Sequence, residues 1–265
     1  MKSIALFFMG LPTGLLYTTQ TLAHNPLEFS LETAYNTGKV GGYAQTPKGG
    51  NVGTTSFKRP TFDELGIHHD DFYDVLLRAK HDTWGMFGQF RHLSPSKNGT
   101  TDSFLITHNQ SIPDNSPING NISYRWYQVG LTKTFGLGNW HVTPELTGNY
   151  MHYRYQFTAP LKGSIREFGL SNVALGLTAE YAFTQKLSAH LIAKGSIPLF
   201  NLTHYEGAIR LSYAILEKDS FSLRPFIGIG ALYIDEEDSQ TIPNHNRYEN
   251  IPYGSFGVNL VHARW

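Results

Sequence analysis

Histidine and carboxylate side chains fall together most densely at His68-His69-Asp70-Asp71, with Asp63-Glu64 before them and Asp74 after. A His–carboxylate pair can activate water as a general base or take part in holding a metal ion. Either task needs groups that face one another across a cleft, and adjacency in sequence does not supply that. The same run also serves as the solvated end of a loop. A lipid-modifying hydrolase would need a Ser or Thr nucleophile beside a His, and His152, Ser164 and His204 are the available residues. Nothing in their spacing pairs them. Cysteine is absent, which excludes thiol catalysis, disulfides and a cysteine-anchored lipoprotein. We assign no catalytic residue, no metal site and no cofactor, and an enzymatic role is not the favoured expectation.

The elements that must position these residues are strands. From Asn172 to Phe183, Val173, Leu175, Leu177, Ala179, Tyr181 and Phe183 share one face, while Asn172, Gly176, Thr178 and Glu180 share the other. A period of two is that of an extended strand with one apolar and one polar side. The same pattern holds over 187–199 and 204–216. Extended along the chain it predicts ten strands, near 28–37, 71–80, 84–92, 123–135, 140–152, 171–183, 187–197, 204–216, 221–234 and 252–265. Their lengths suit tilted strands that cross a bilayer.

The connections alternate. Long ones fall near 38–70, 93–122, 153–170, 198–203 and 235–251, and short ones near 81–83, 136–139, 184–186 and 217–220. The short ones carry turn chemistry such as Gly136-Leu137-Gly138-Asn139. The long ones are polar, with Gly41-Gly42 and Gly49-Gly50-Asn51 as examples. Loop lengths segregated to two rims are expected of a membrane barrel and not of a soluble sandwich.

The ends agree with export. Lys2, a mostly apolar stretch from Ile4 to Leu16, and Thr21-Leu22-Ala23 read as a signal peptide, residues 1–23, leaving 24–265 as a single barrel domain. The apolar stretch is short and broken by Pro12, so it does not read as a spanning helix. The 21 basic and 21 acidic residues balance, so nucleic acid is not an expected partner.

In these features, and in the terminal aromatic Trp265, the chain resembles the Gram-negative bacterial outer-membrane β-barrel proteins. The resemblance implies an all-β, antiparallel, up-and-down transmembrane barrel of about ten strands in the cell outer membrane, with short periplasmic turns and long extracellular loops. It also implies outer-membrane lipid and lipopolysaccharide as neighbours, and a barrel-assembly machinery that reads the C-terminal strand. In that strand Val261, Ala263 and Trp265 keep one phase and Phe256, Val258 and Leu260 the other, so a bulge near Asn259 is expected. A catalytic His–Asp group at the outer rim would be similar to the omptin proteases, ten-stranded barrels with acidic and Asp/His pairs on facing strands. No second Asp-x-His pair appears in the later strands, so that similarity does not carry over to His68, His69, Asp70 and Asp71.

The strand phase places Glu28, Glu32, Asp74, Glu145, Glu180 and Glu206 in the lumen together with Arg78, Lys80, Arg91, Lys194, Arg210 and Arg224. Equal numbers of acids and bases imply mutual neutralisation in a narrow lumen, largely filled by side chains. Phe87, Trp126 and Phe226 point inward by the same phase and add to the filling. The expectation is a surface protein whose loops bind an unknown extracellular ligand or surface. The alternatives are a small-solute, porin-like channel and a rim-sited hydrolase, omptin-like or lipid-modifying.

Overall fold

The computed structural model describes residues 27–45, 61–101, 104–107, 110–159, 162–218, 220–239 and 244–264. The expected signal peptide, Gly49-Gly50-Asn51 and Trp265 lie outside the described residues. Ten long strands are present: β1 Leu27–Gln45, β2 His69–His81, β3 Trp84–Leu93, β4 Pro117–Lys133, β5 Trp140–Ala159, β6 Lys162–Ala182, β7 Leu187–Ser196, β8 Leu202–Tyr213, β9 Phe221–Glu237 and β10 His245–Arg264. Each pairs antiparallel with the next. β10 pairs with β1 from Leu27↔Arg264 to Gln45↔His245, which closes the sheet. Closure leaves no barrel strand with an unpaired edge.

The alternation read from the sequence fixes which side of each strand faces out. Leu77, Val129, Leu131, Leu175, Ile209 and Ile229 are all exposed. A continuous apolar exterior of this kind is a liability in water and is stable only against hydrocarbon. Aromatic rows border it. On one side Tyr35 packs on Tyr73 and Phe256, with ring centroids 5.2 and 5.0 Å apart, and Phe90 packs on Tyr127 at 5.2 Å. On the other, Trp140 packs on Tyr181 at 4.9 Å, and Trp84 carries the Lys133 ammonium over its ring. From Trp140 to Tyr150 on β5 the rows are about 25 Å apart, given the rise and tilt of barrel strands.

Tight turns close the rim beside the Trp84 and Trp140 row. His81↔Trp84 brackets one, with Asp82 at φ 56°, and Leu137↔Trp140 brackets another, with Gly138 at φ 63°. Left-handed residues at these positions match the twist of the flanking strands.

The structure corrects the sequence expectation in the outer connections and in β10. Residues 153–159, 162–170 and much of 235–251, expected as loops, continue the β5–β6 and β9–β10 hairpins outward, and 38–45, also expected as loop, extend β1. Ser96–Thr100 likewise pairs with the start of β4. The expected bulge near Asn259 is absent, and the register runs unbroken from Gly254 to Arg264. Phe256, Val258 and Leu260 take the outward phase, while Asn259 and Val261 line the interior. The register shift lies further out, between Gly38 and Val40 on β1 and between Gly230 and Leu232 on β9, opposite Ile251-Pro252.

Candidate functional site

The interior has two layers. The polar one lies within the membrane band. Arg91 of β3 is almost fully buried, and its Nε lies 2.5 Å from Asp74 on neighbouring β2. Its Nη2 lies 2.8 Å from Glu206 of β8, across the barrel. The guanidinium therefore bridges the lumen, packed between Phe72 and Trp126 at 5.3 Å from each ring. Lys194 pairs with Glu145 at 2.7 Å and donates to Gln128 at 3.1 Å. Arg210 pairs with Glu32 at 2.7 Å, with Arg78 3.8 Å from the same carboxylate. Four of the expected lumen acids thus meet expected lumen bases, as the cost of unpaired buried charge requires. Arg224 lines the interior as expected, and pairs with Glu217 at the turn, 3.0 Å away. Glu28, Lys80 and Glu180 line a cavity of about 400 Å³ on the tight-turn side of these pairs. Phe87, Trp126 and Phe226 are buried inside, as their phase predicts.

One contact in this cavity was not anticipated from the sequence. His190 Nε2 lies 3.0 Å from Ser212 Oγ and 3.1 Å from Ser188 Oγ, and the two hydroxyls are 2.8 Å apart. Hydroxyls shared in this way form a closed polar network on the facing rows of β7 and β8.

Outward of Arg91 the interior is mainly aromatic and aliphatic, with Asp70, Glu236, Asn246 and Asn250 buried among those side chains. Phe72, Tyr253, Ile122, Tyr124, Tyr153 and Tyr248 are buried to within 1% of full. The segment entering β2 completes this layer with Phe62, Leu65 and Ile67, equally buried. Its shape follows from Thr61-Phe62-Asp63-Glu64. Glu64 accepts from the Thr61 amide at 3.0 Å, and Thr61 Oγ1 accepts from the Glu64 amide at 3.1 Å. This reciprocal pairing winds the backbone into one tight turn, closed by Ile67 N donating to Phe62 O at 2.7 Å. The turn presents its apolar side chains to the barrel mouth.

The structure does not bring His68, His69, Asp70 and Asp71 together as a site. Alternation along the start of β2 sends Asp70 inward, where it accepts from the Tyr248 hydroxyl at 2.8 Å. Burial pushes its carboxyl up to about 7, against that hydrogen bond. His69 and Asp71 face outward, 3.1 Å apart, and both meet Thr37 Oγ1, at 2.8 and 2.6 Å. The Thr37 hydroxyl holds the Asp71 carboxyl below its usual value. His68 turns to exposed Asp63 at 3.0 Å.

A second His–Asp pair escaped the sequence reading. Asp235 of β9 lies 2.7 Å from His245 of β10, and also accepts from Arg247 at 2.8 Å and Tyr233 at 2.9 Å. Tyr43 lies 3.1 Å from His245 and carries the Arg247 guanidinium over its ring. Burial would raise the Asp235 carboxyl, but its partners hold it well below the usual range. The only available signal was that 235–251 had to be strand rather than loop. A carboxylate saturated by three donors is a poor base for water. It also stands about 20 Å along β1 from the Thr37 group, since Tyr43 is six residues further out. These groups form separate staples on the outer wall.

The lipid-modifying candidates also stay apart. His152 faces outward on β5. His204 is buried against Trp126, ring centroids 4.6 Å apart, and contacts Asn172 at 3.2 Å. The Ser164 side chain lies outside the described residues. Among the described residues no cluster of three His, Asp or Glu side chains could hold a metal ion.

A closed, antiparallel, ten-stranded barrel with an apolar outer band between aromatic rows and a charged interior defines a class: the chain is a transmembrane β-barrel of the outer-membrane type. No protein-family model matches it, and no curated protein does. Among solved structures it is similar to the outer membrane protease OmpT of Escherichia coli, with 11% identity, coverage of 93% of this chain and 99% of that one, and a TM-score of 0.47. It is similar to the β domain of the Bordetella autotransporter BrkA, with 10% identity, coverage of 91% and 100%, and a TM-score of 0.45. It is also similar to Ail of Yersinia pestis, crystallised with the heparin analogue sucrose octasulfate, with 9% identity, coverage of 88% and 98%, and a TM-score of 0.37.

Proposed function

We propose that this chain is exported by its N-terminal signal to the outer membrane, where it is a surface barrel with a closed lumen and acts through its outer loops and rim. One observation carries the reading. Phe62, Leu65 and Ile67 are inserted into the outer mouth above the Arg91–Asp74–Glu206 bridge. A close-packed, largely aromatic and aliphatic layer stacked on the salt-bridged Arg91 offers a solute no open route. Work at the outer surface is then what the fold supports. The connection between β3 and β4, residues 94–116, is suited to it, because it carries its own hairpin, Leu105–Thr107 with Gln110–Ile112.

The test compares cells displaying the intact barrel with cells lacking 104–110, for retention on immobilised collagen, fibronectin and heparin. Removing the tip is expected to leave the heat-modifiable folded band in place and to lower retention. Equal retention of the two on every surface would contradict a role for this loop. The hydrolase alternative is tested by His69→Ala with Asp70→Ala. Loss of fluorogenic-peptide cleavage in that folded double variant would displace the binding reading, and no cleavage by either form is expected.

A further inference from the structure

We propose that the cavity on the tight-turn side of the lumen binds a short peptide as its zwitterion, with Arg78 taking the carboxylate and Glu180 the ammonium. The cavity is about 400 Å³, and its lining reaches Lys80, Thr134 and Ser222, beside the tight turns. The Arg91 bridge and the packed layer beyond it close the other end. It is therefore a blind pocket entered from the turn rim, on the opposite side of the barrel from the 94–116 loop.

The charges inside it are not all engaged. β2 and β6 are four places apart in the closed ring of ten strands, so Arg78 and Glu180 stand on facing walls. Arg78 reaches only to 3.8 Å from Glu32, whose other oxygen is held by Arg210 at 2.7 Å. Its side chain is 40% exposed, and its guanidinium can fork onto a carboxylate. Glu180 makes no ion pair among the described residues. Its register neighbours are His141 and His190, and His190 is already engaged by Ser188 and Ser212. Glu28 and Lys80, by contrast, stand opposite each other on β1 and β2 and balance locally. One cation and one anion then face each other across an open space, which is the charge pattern of a zwitterion.

Two further atoms narrow the ligand to a peptide. Arg210 Nε and Asn259 Oδ1 are buried on the same lining, and neither has a hydrogen-bond partner among the described residues. An unmet donor and an unmet acceptor in a barrel interior are costly. The C=O and N–H of peptide links supply the matching groups. Thr132 of β4 and Thr143 of β5 line the wall between the two charges with hydroxyls, which can serve the same links.

The experiment is isothermal titration of the refolded full barrel, in non-ionic detergent, with trialanine, N-acetyl-trialanine, trialanine amide and alanine. Trialanine carries both charges and is about 10 Å long when extended. On the intact protein each capped peptide is expected to bind about tenfold or more weakly than trialanine, the scale of a lost charged hydrogen bond. Glu180→Gln should weaken trialanine by a like factor and leave N-acetyl-trialanine within about twofold, because that peptide has no ammonium to lose. Arg78→Gln should weaken trialanine and N-acetyl-trialanine together and leave the amide within about twofold. The heat-modifiable band verifies that each variant is folded. Equal binding of free and capped peptides by the intact protein, or no heat from millimolar trialanine, would overturn the proposal without recourse to any variant. An equal effect of Glu180→Gln on trialanine and N-acetyl-trialanine would show that Glu180 does not meet the ammonium, and would overturn it too. Alanine binding as tightly as trialanine would overturn the assignment to a peptide.

Discussion

The inner and outer stretches of the same strands are patterned oppositely. Between the aromatic rows β4 turns Val129 and Leu131 outward and Gln128 inward, and β8 turns Ile209 and Leu211 outward and Glu206 and Arg210 inward. Beyond the outer row β4 turns Ile122 and Tyr124 inward with Ser123 and Arg125 outward, and β5 turns Tyr153 and Tyr155 inward with His152 and Arg154 outward. The period of two never breaks. What changes is the medium outside the wall, hydrocarbon in one stretch and water in the other. The interior responds by carrying the salt-bridged charges where the exterior is apolar and most of its aromatic and aliphatic packing where the exterior is wet. The seam between the two interiors is Arg91, salt-bridged to Asp74 and Glu206 and flanked by Phe72 and Trp126.

Breaking the seam should have the largest effect. Arg91→Ala leaves Asp74 and Glu206 buried without their cation and is expected to cost about 3–5 kcal/mol, read from the guanidinium midpoint of the refolded barrel. Leu65→Ala tests the packed outer layer and is expected to cost about 2–5 kcal/mol for a fully buried side chain. Its loss should be local, seen first as proteolytic nicking after 61–67. Leu175→Arg tests the lipid face at about 2–4 kcal/mol near the midplane. Thr178→Arg, which points into the cavity, should cost less, and assembly yields in the reverse order would show the strand phase to be inverted.

A further effect concerns pH. Asp70 has its folded value raised to about 7 from an ordinary 3.8, so the folded chain holds a proton that the unfolded chain releases. Its contribution to stability therefore declines as pH rises from about 4 to about 7 and is level above that. Asp70→Asn should flatten this part of the midpoint-versus-pH curve, and an unchanged slope would show that Asp70 is not its source.

The inversion also explains what the sequence made legible. All ten strands could be read within the membrane band, where lipid outside enforces apolar residues on one phase. Inward Phe87, Trp126 and Phe226, and the inward placement of Arg91 and Lys194 with the carboxylates that pair with them, followed from that phase. The reading stopped at 152 and at 234 because the apolar residues there cross to the other side of the wall. Tyr153, Tyr155 and Tyr248 then look like loop aromatics until the barrel is seen to continue. Asp235 and His245 were lost for the same reason, since they meet only across the extended β9–β10 hairpin. In β10 the phase conflict needs no bulge, because Phe256, Val258 and Leu260 keep the outward phase and Val261 simply lines the interior; the register shift at Ile251-Pro252 lies further out. The insertion of Phe62, Leu65 and Ile67 is likewise tertiary, although the Thr61–Glu64 box that shapes the turn is visible in the chain.

The most direct test of the closed lumen is electrical. The refolded wild-type protein is inserted into planar bilayers, with insertion verified by protease protection, and current is recorded at both polarities in molar salt. The packed layer above the Arg91 bridge predicts no sustained unitary conductance. Reproducible long-lived current steps from the verified wild-type barrel would show a continuous water path and contradict the account.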